Sequence, residues 1–402
     1  MAPPIKLAYL VSHPIQYQAP LLRRIAADPE IDLTVFFCSA SSLRAHHDEG
    51  FGRVIEWDVP LVDGYEHRFL PAIGDDRSPS VLRPLNYGLA RALHEGGFEV
   101  LWTHGYTRLY NLASMFFAHR RGLLVLNRDE AWEGGMRRGP VKRAIKRIFF
   151  TGLRRVCDGW LAIGSRNRDY YLAQGMDADR IFSMPYAVDN DRFRGMAAEA
   201  AATRDALRAE LDIAPGRPVV LFASKFQTRK RAADLVEAFA RIAGDAACRA
   251  PYLVLVGDGE EHAALARQVA AHGLADSVRF AGFRNQSELP RFYDLCNVFV
   301  LPSVLEPWGL VVNEVMNAGR AVIASDQVGA AADLVRDGEN GFVMPARDIA
   351  ALAGALRAVL SDPERCRRMG ARSLEIIGGW GLEQDLAGLK QALAQCRAEA
   401  PA

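Results

Sequence analysis

Short apolar runs alternate along this chain with stretches whose apolar residues recur at helical spacing, and that rhythm restricts the fold more than any other feature. A strand buried on both faces reads as a continuous apolar run, and a parallel neighbour needs a crossover segment to reach it. Candidate strands in the first half are 6–11, 33–37, 100–103, 123–126 and 160–163. In the second half 219–223, 253–256, 278–281, 298–301, 321–324 and 341–343 repeat the rhythm. The expected class is α/β with two parallel sheets.

Two domains are also expected from the length of 402 residues, because single cores seldom grow beyond about 250 to 300 residues. Proline and glycine interrupt both periods between Pro185 and Pro218. The expected division is an N-terminal domain over 1–187, a linker over 188–217 and a C-terminal domain over 218–380. The amphipathic tail 381–402 comes after the second sheet is complete, and it is expected to pack back on the first domain. A net charge of +1 gives no bulk electrostatic case for nucleic acid. The six cysteines are scattered, without a Cys-x-x-Cys pair or a histidine at metal-ligand spacing, so neither a disulfide framework nor a zinc site is expected. The first residues lack a signal-peptide pattern and no run of about 18 apolar residues occurs, which points to the cytoplasm with any membrane contact peripheral.

The segment Glu306-Pro307-Trp308-Gly309-Leu310-Val311-Val312-Asn313-Glu314 follows a strand and opens a helix. Proline suits the first helical positions, where its missing N–H has no partner to lose. Past it, the amides of Gly309, Leu310 and Val311 would carry the partial positive charge of a helix start, which favours a phosphate. Glu306 lies before the helix and Glu314 inside it, placing one carboxylate for a sugar and the other for a ribose. Alone, a strand, a turn and a helix with one glutamate also suit a purely structural role.

Neighbouring segments favour a ligand cleft. Lys225 and Lys230 lie in the basic loop after the first strand of the second domain, at the carboxyl edge where parallel sheets bind ligands. Gly257-Asp258-Gly259 reads as a tight strand-to-helix turn, lacking the third glycine of a dinucleotide fingerprint. Backbone groups at Phe283 and Arg284 end another strand, where they either meet a base edge or serve the core and loop. His13 and His104 each follow a first-domain strand and are either cleft-facing or structural. Asp189 and Asp191 read as solvated carboxylates rather than metal ligands. Residues 137–155 form a basic stretch in which Val141, Ile145, Ile148 and Phe149 share a helical side flanked by cations, the pattern of a helix on an anionic membrane or of a core helix with a basic outer face.

From about Val219 to Asp348 these motifs, together with Met316-Asn317-Ala318-Gly319-Arg320 and Gly338-Glu339-Asn340-Gly341-Phe342, resemble a retaining glycosyltransferase of family 4, among the group 1 glycosyl transferases. The resemblance implies the GT-B fold, two Rossmann-like parallel-sheet domains facing each other across a cleft. It implies a sugar donor linked to a nucleoside diphosphate, uridine being expected, and a glycan or lipid-linked acceptor. Glu306 would contact the donor sugar, Glu314 would hold the ribose, and Lys225 and Lys230 would neutralise the diphosphate with the 309–311 amides. No metal and no cofactor would be required. The first domain departs from the family pattern: His13-Pro14-Ile15-Gln16 replaces a glycine pair, and Arg128 stands where a catalytic-region histidine is often found. Arg128 thus joins His13 and His104 as an acceptor-side candidate. An epimerase, a phosphorylase and a catalytically silent sugar-nucleotide-binding partner are the alternatives.

Overall fold

The computed structural model describes residues 3–48, 50–74, 85–134 and 139–399, with the backbone alone for Arg143. Two compact units result, and neither is a contiguous piece of chain. The first comprises Met1–His46, Val59–Tyr186 and Leu382–Ala402, and the second comprises His47–Asp58 and Ala187–Gly381.

In the first unit, strands β1 (Ile5–Val11), β2 (Ile31–Phe37), β3 (Glu66–Phe69), β4 (Val100–His104), β5 (Leu124–Arg128), β6 (Gly159–Ala162) and β7 (Ile181–Ser183) form a parallel sheet in the order β7-β6-β5-β4-β1-β2-β3. Side chains alternate between its two faces, and both faces are covered. Tyr9, Val35, Trp102 and Leu126 enter one core cluster, while Leu10, Phe36, Leu101 and Val125 enter the other. That double burial is why these strands read as unbroken apolar runs. The two edge strands escaped the sequence pattern for different reasons: Glu-His-Arg-Phe in β3 is largely exposed, whereas β7 is mostly buried but only three residues long.

Three helices of this unit matter below: α1 (Ala19–Ala26), α2 (Leu109–Arg120) and α3 (Pro140–Leu153). In the second unit, β8 (Val219–Ala223), β9 (Tyr252–Val256), β10 (Val278–Gly282), β11 (Val298–Leu301), β12 (Ala321–Ser325) and β13 (Gly341–Met344) are again all parallel, in the order β10-β9-β8-β11-β12-β13. The α/β class with two Rossmann-like parallel sheets is therefore present. Strand order reverses between β8 and β11 here, and between β1 and β4 in the first unit. Crevices open beyond the carboxyl ends of strands at such reversals. The loops after β8, β11 and β1 carry Lys225 to Lys230, Glu306 and His13, and His104 is the last residue of β4.

Helix α4 (Val311–Asn317) follows β11. Residues 188–217, read as a linker, hold two helices, Asn190–Ala201 and Arg204–Glu210. The last helix, α5 (Leu382–Ala398), belongs to the first unit, adding Leu386, Leu389, Ala392, Leu393 and Cys396 to its core.

Candidate functional site

After β11 the chain does not enter a helix at Pro307. Glu306 N–H donates to Gln327 O at 3.1 Å, Gly329 N–H donates to Glu306 O at 3.0 Å, and Ala330 N–H donates to Trp308 O at 2.9 Å. Residues 306–308 are thereby held extended along 327–330. Gly309 then adopts a φ of +94°, outside the helical region, and α4 starts at Val311 with Leu310 as its cap. The sequence expectation that proline opens this helix is corrected: proline sits in a strand-like bridge, where its lack of an N–H is equally tolerated. Trp308 is buried, donates from Nε1 to Asn313 Oδ1 at 2.9 Å and stacks on Trp380. Among the described residues, no acceptor takes the amides of Gly309, Leu310 and Val311.

The Glu306 carboxylate lies against the loop that follows β8. Lys230 Nζ donates to Glu306 Oε2, and Arg229 Nη1 stands 3.7 Å from the same oxygen. Arg229 also donates to Leu305 O at 3.1 Å, and its own carbonyl accepts from Val304 N–H at 2.9 Å, which ties the two loops together. Lys230 is buried, so desolvation draws its pKa below the usual lysine range while Glu306 opposes the fall. Lys225 points elsewhere. Its Nζ is 2.7 Å and 2.8 Å from the two Asp48 oxygens and lies over the Phe51 ring. Burial works against ionisation of Asp48, but Lys225 and the amides of Phe51 and Gly50 hold its pKa below the ordinary value. The segment His47–Asp58 thus places a carboxylate on one of the two expected phosphate cations.

Glu314 is buried, and burial raises its carboxyl above the ordinary range. Tyr293 Oη donates to its Oε2 at 2.5 Å, and no described residue donates to its other oxygen. Phe283 meets Phe51 edge to face with ring centroids 4.8 Å apart, with Arg53 over its ring. The Arg284 side chain is committed to protein partners, donating to Ala281 O and to Glu288. Gly257 is confined to glycine by space: a Cβ there would stand 2.0 Å from Ser224 O, so the turn packs directly under the Lys225 loop.

In the first unit, the loops after β1, β4 and β5 line a pocket of about 370 Å³ that includes Ser12, His104, Arg108, Asp129 and Glu130. His13 Nδ1 is 2.8 Å from Ser12 Oγ. His104 is 3.4 Å from Gln18 Nε2 and 4.0 Å from Glu130 Oε1. Burial, reinforced by Arg128 and His13, lowers the His104 pKa to about 3, and burial with Arg108 lowers that of His13 to about 4. Both are neutral at physiological pH. Glu130, unremarked in the sequence, accepts from Tyr186 Oη at 2.5 Å and from Tyr17 Oη at 3.4 Å. Arg128 does not face this pocket. Only 1% exposed, it donates from Nη2 to Met184 O and Pro185 O, pairs with Asp385 of α5 at 3.2 Å, and lies over the Tyr186 ring. As an acceptor-side candidate it is corrected to a structural cation, because a buried guanidinium needs a carboxylate and carbonyls around it.

The basic stretch 137–155 is only partly described, Arg137 and Arg138 lying outside the described residues. Lys146 and Phe149 do not share the outer face: Lys146 lies over Tyr170 and pairs with Glu133, and Phe149 packs on Tyr106 and Phe150. Among the described residues, no cluster of three or more His, Cys, Asp or Glu is arranged to hold a metal, and no helix is long and apolar enough to cross a membrane.

Residues 203–375 match the family described as glycosyl transferases group 1. A D-inositol 3-phosphate glycosyltransferase of Nocardia farcinica is 33% identical over 281 residues, covering 68% of this chain and 60% of that protein. LpsE, a lipopolysaccharide core biosynthesis glycosyltransferase of Rhizobium meliloti, is 34% identical over 172 residues, covering 43% of this chain and 48% of that protein. The matches thus span about half to three fifths of these relatives' lengths. The crystal structure of Anabaena HepE in complex with UDP superposes with a TM-score of 0.73 at 17% identity, covering 97% of this chain and all of that one, which shows a shared fold.

Proposed function

We propose, from the match of residues 203–375 to the group 1 glycosyl transferases, that the protein moves a glycosyl group from a nucleoside diphosphate sugar to an acceptor hydroxyl. The observation that carries this reading is the convergence of Lys230 and Arg229 on Glu306 at the β8/β11 reversal, beside unpartnered amides. A donor held there has its diphosphate against Lys230 and those amides, and its sugar hydroxyls at Glu306. A phosphate that reaches Lys225 displaces Asp48. Glu314, with one oxygen held by Tyr293, offers the other to the ribose.

Transfer breaks the bond from the anomeric carbon to the diphosphate and forms one to the acceptor oxygen. Negative charge grows on the leaving phosphate, where fixed cations stabilise it without reorganisation. The two glutamates do not work as a glycosidase pair, whose carboxyls stand about 5 Å apart across the bond in retaining enzymes; one holds a lysine and the other a tyrosine. Attack therefore comes from the face the diphosphate leaves, with the acceptor's proton passing to the departing phosphate oxygen and the configuration retained. No metal or cofactor takes part in these steps.

UDP bound to HepE supports a uridine donor, and the names of the curated relatives support a polyol or glycan acceptor in cell-surface polysaccharide or glycolipid synthesis. The pocket of the first unit that holds Ser12, His104 and Glu130 is the proposed acceptor site, and the cytoplasm the proposed compartment. A thermal-shift panel of nucleoside diphosphate sugars identifies the donor, since a ligand of the folded state raises the melting temperature. With that donor, Glu314→Ala is expected to weaken binding about tenfold, the effect of losing a hydrogen-bonded carboxylate. Lys230→Ala is expected to slow turnover about a hundredfold. Unchanged binding and turnover in both variants would remove the site.

A further inference from the structure

Outside the sheet edges, the most conspicuous surface of the first unit is the outer side of α3. Val141, Ile145 and Ile148 recur at helical spacing and are 70%, 63% and 73% exposed, far beyond what a helix packed on a core leaves in water. The stripe runs on to Gly152, which lines a groove of about 700 Å³ between α3 and α2. Leu112, Phe116, Phe149 and Leu153 give that groove an apolar wall, and Phe116 is itself 53% exposed. Its rim carries the guanidinium groups of Arg120 and Arg155, with His119 beside them. Lys142 and Arg147 stand exposed on α3 beside the stripe, while neither helix contains an aspartate or glutamate. The acids that approach are Glu133, paired with Lys146, and Asp158, which faces His119.

We propose that this face docks on an anionic lipid bilayer, with Val141, Ile145, Ile148 and Phe116 entering the acyl boundary and Lys142, Arg147, Arg120 and Arg155 meeting lipid phosphates. Charge complementarity selects that occupant: apolar side chains at water's edge, ringed by Lys142, Arg147, Arg120 and Arg155 with no acid paired to them among the described residues, match a surface that is oily below and negative above. A second copy of the chain would bring the same cations against themselves. The proposal is independent of sugar transfer, because none of these residues lies at the β8/β11 or β1/β4 reversals.

Vesicle flotation tests it with the full chain, using phosphatidylcholine alone and phosphatidylcholine mixed with phosphatidylglycerol. The protein is expected to float with the mixed vesicles, and to do so about tenfold less with the neutral ones and at high salt. Ile145→Ser with Ile148→Ser, and separately Lys142→Glu with Arg147→Glu, are each expected to cut the bound fraction about tenfold. Melting temperature and donor binding stay as in the wild type, since the replaced side chains are exposed. Wild-type protein that ignores the mixed vesicles, or variants that float as well as it does, would overturn the proposal. So would self-association in sedimentation that the isoleucine replacements abolish while vesicle binding persists.

Discussion

At the scale of single residues, burial decides which groups titrate. His104 has its pKa lowered to about 3, first by desolvation and then by Arg128 and His13, whereas an unfolded histidine protonates near about 6.5. A depressed base means the unfolded chain binds the extra proton. The stability linked to His104 is thus fully present above about pH 6.5 and is lost as pH falls toward the folded value. At pH 5 the loss amounts to about 2 kcal/mol relative to a residue that does not titrate. His104→Gln is therefore expected to flatten the acid limb of a melting-temperature profile against pH and to leave the region above neutrality unchanged; an identical acid limb would contradict the buried state of this imidazole. Asp129 acts in the opposite sense, since burial raises its pKa to about 6 and its cost grows as pH rises toward that value. Glu306, Lys230 and Glu314 could be singled out from the sequence because each belongs to a short segment beside a strand. Their partners were harder to read. Tyr293 lies 21 residues from Glu314, Asp48 lies 177 from Lys225, and Asp385 lies 257 from Arg128. No local pattern encodes such pairings.

At the scale of elements, every strand of the two parallel sheets but the edge strands β3 and β7 was legible, and the loop before α4 was not. Eleven apolar runs became strands because both faces of each sheet are covered, so burial itself wrote the pattern. Glu306 to Gly309 read as a helix start because proline and glycine are common to helix ends and to extended bridges alike. What separates the two is a tertiary contact, the pairing of 306–308 with 327–330. Gly329 makes that pairing possible: a Cβ there would stand 2.0 Å from Pro307 O and 3.1 Å from Trp308 Cα. Backbone carbonyls cannot rotate away as a side chain can. Gly329→Ala should push the bridge outward, costing about 1–3 kcal/mol as overpacking does, and should carry Glu306 away from Lys230. Donor affinity and melting temperature are expected to fall together. A variant that melts like the wild type and binds donor normally would show that the bridge does not position Glu306.

At the scale of the molecule, the connectivity matters more than the order of domains along the chain. The first unit takes its last helix from residues 382–398, and the second takes a strap from residues 47–58. The helix is integral. Leu386, Leu389 and Leu393 lie in the same core as Leu7, Trp102 and Leu126, Glu383 pairs with Arg24 of α1 at 2.9 Å, and Asp385 supplies the carboxylate opposite buried Arg128. Gly388 lets α5 touch β7 directly, since a Cβ there would fall 1.7 Å from Ser183 O. Without α5, an apolar face of the sheet meets water and a buried guanidinium loses its counter-charge, and stranding one partner of a buried pair costs about 3–5 kcal/mol before the apolar surface is counted. A marginally stable domain does not survive both losses. Residues 1–186 expressed alone are therefore expected to lack a cooperative melting transition. The same fragment joined through a flexible linker to residues 382–399 is expected to regain one. Cooperative melting of the bare fragment would mean that α5 merely covers a unit already folded, and the pairing of Arg128 with Asp385 would then be a consequence of the fold and no part of its cause.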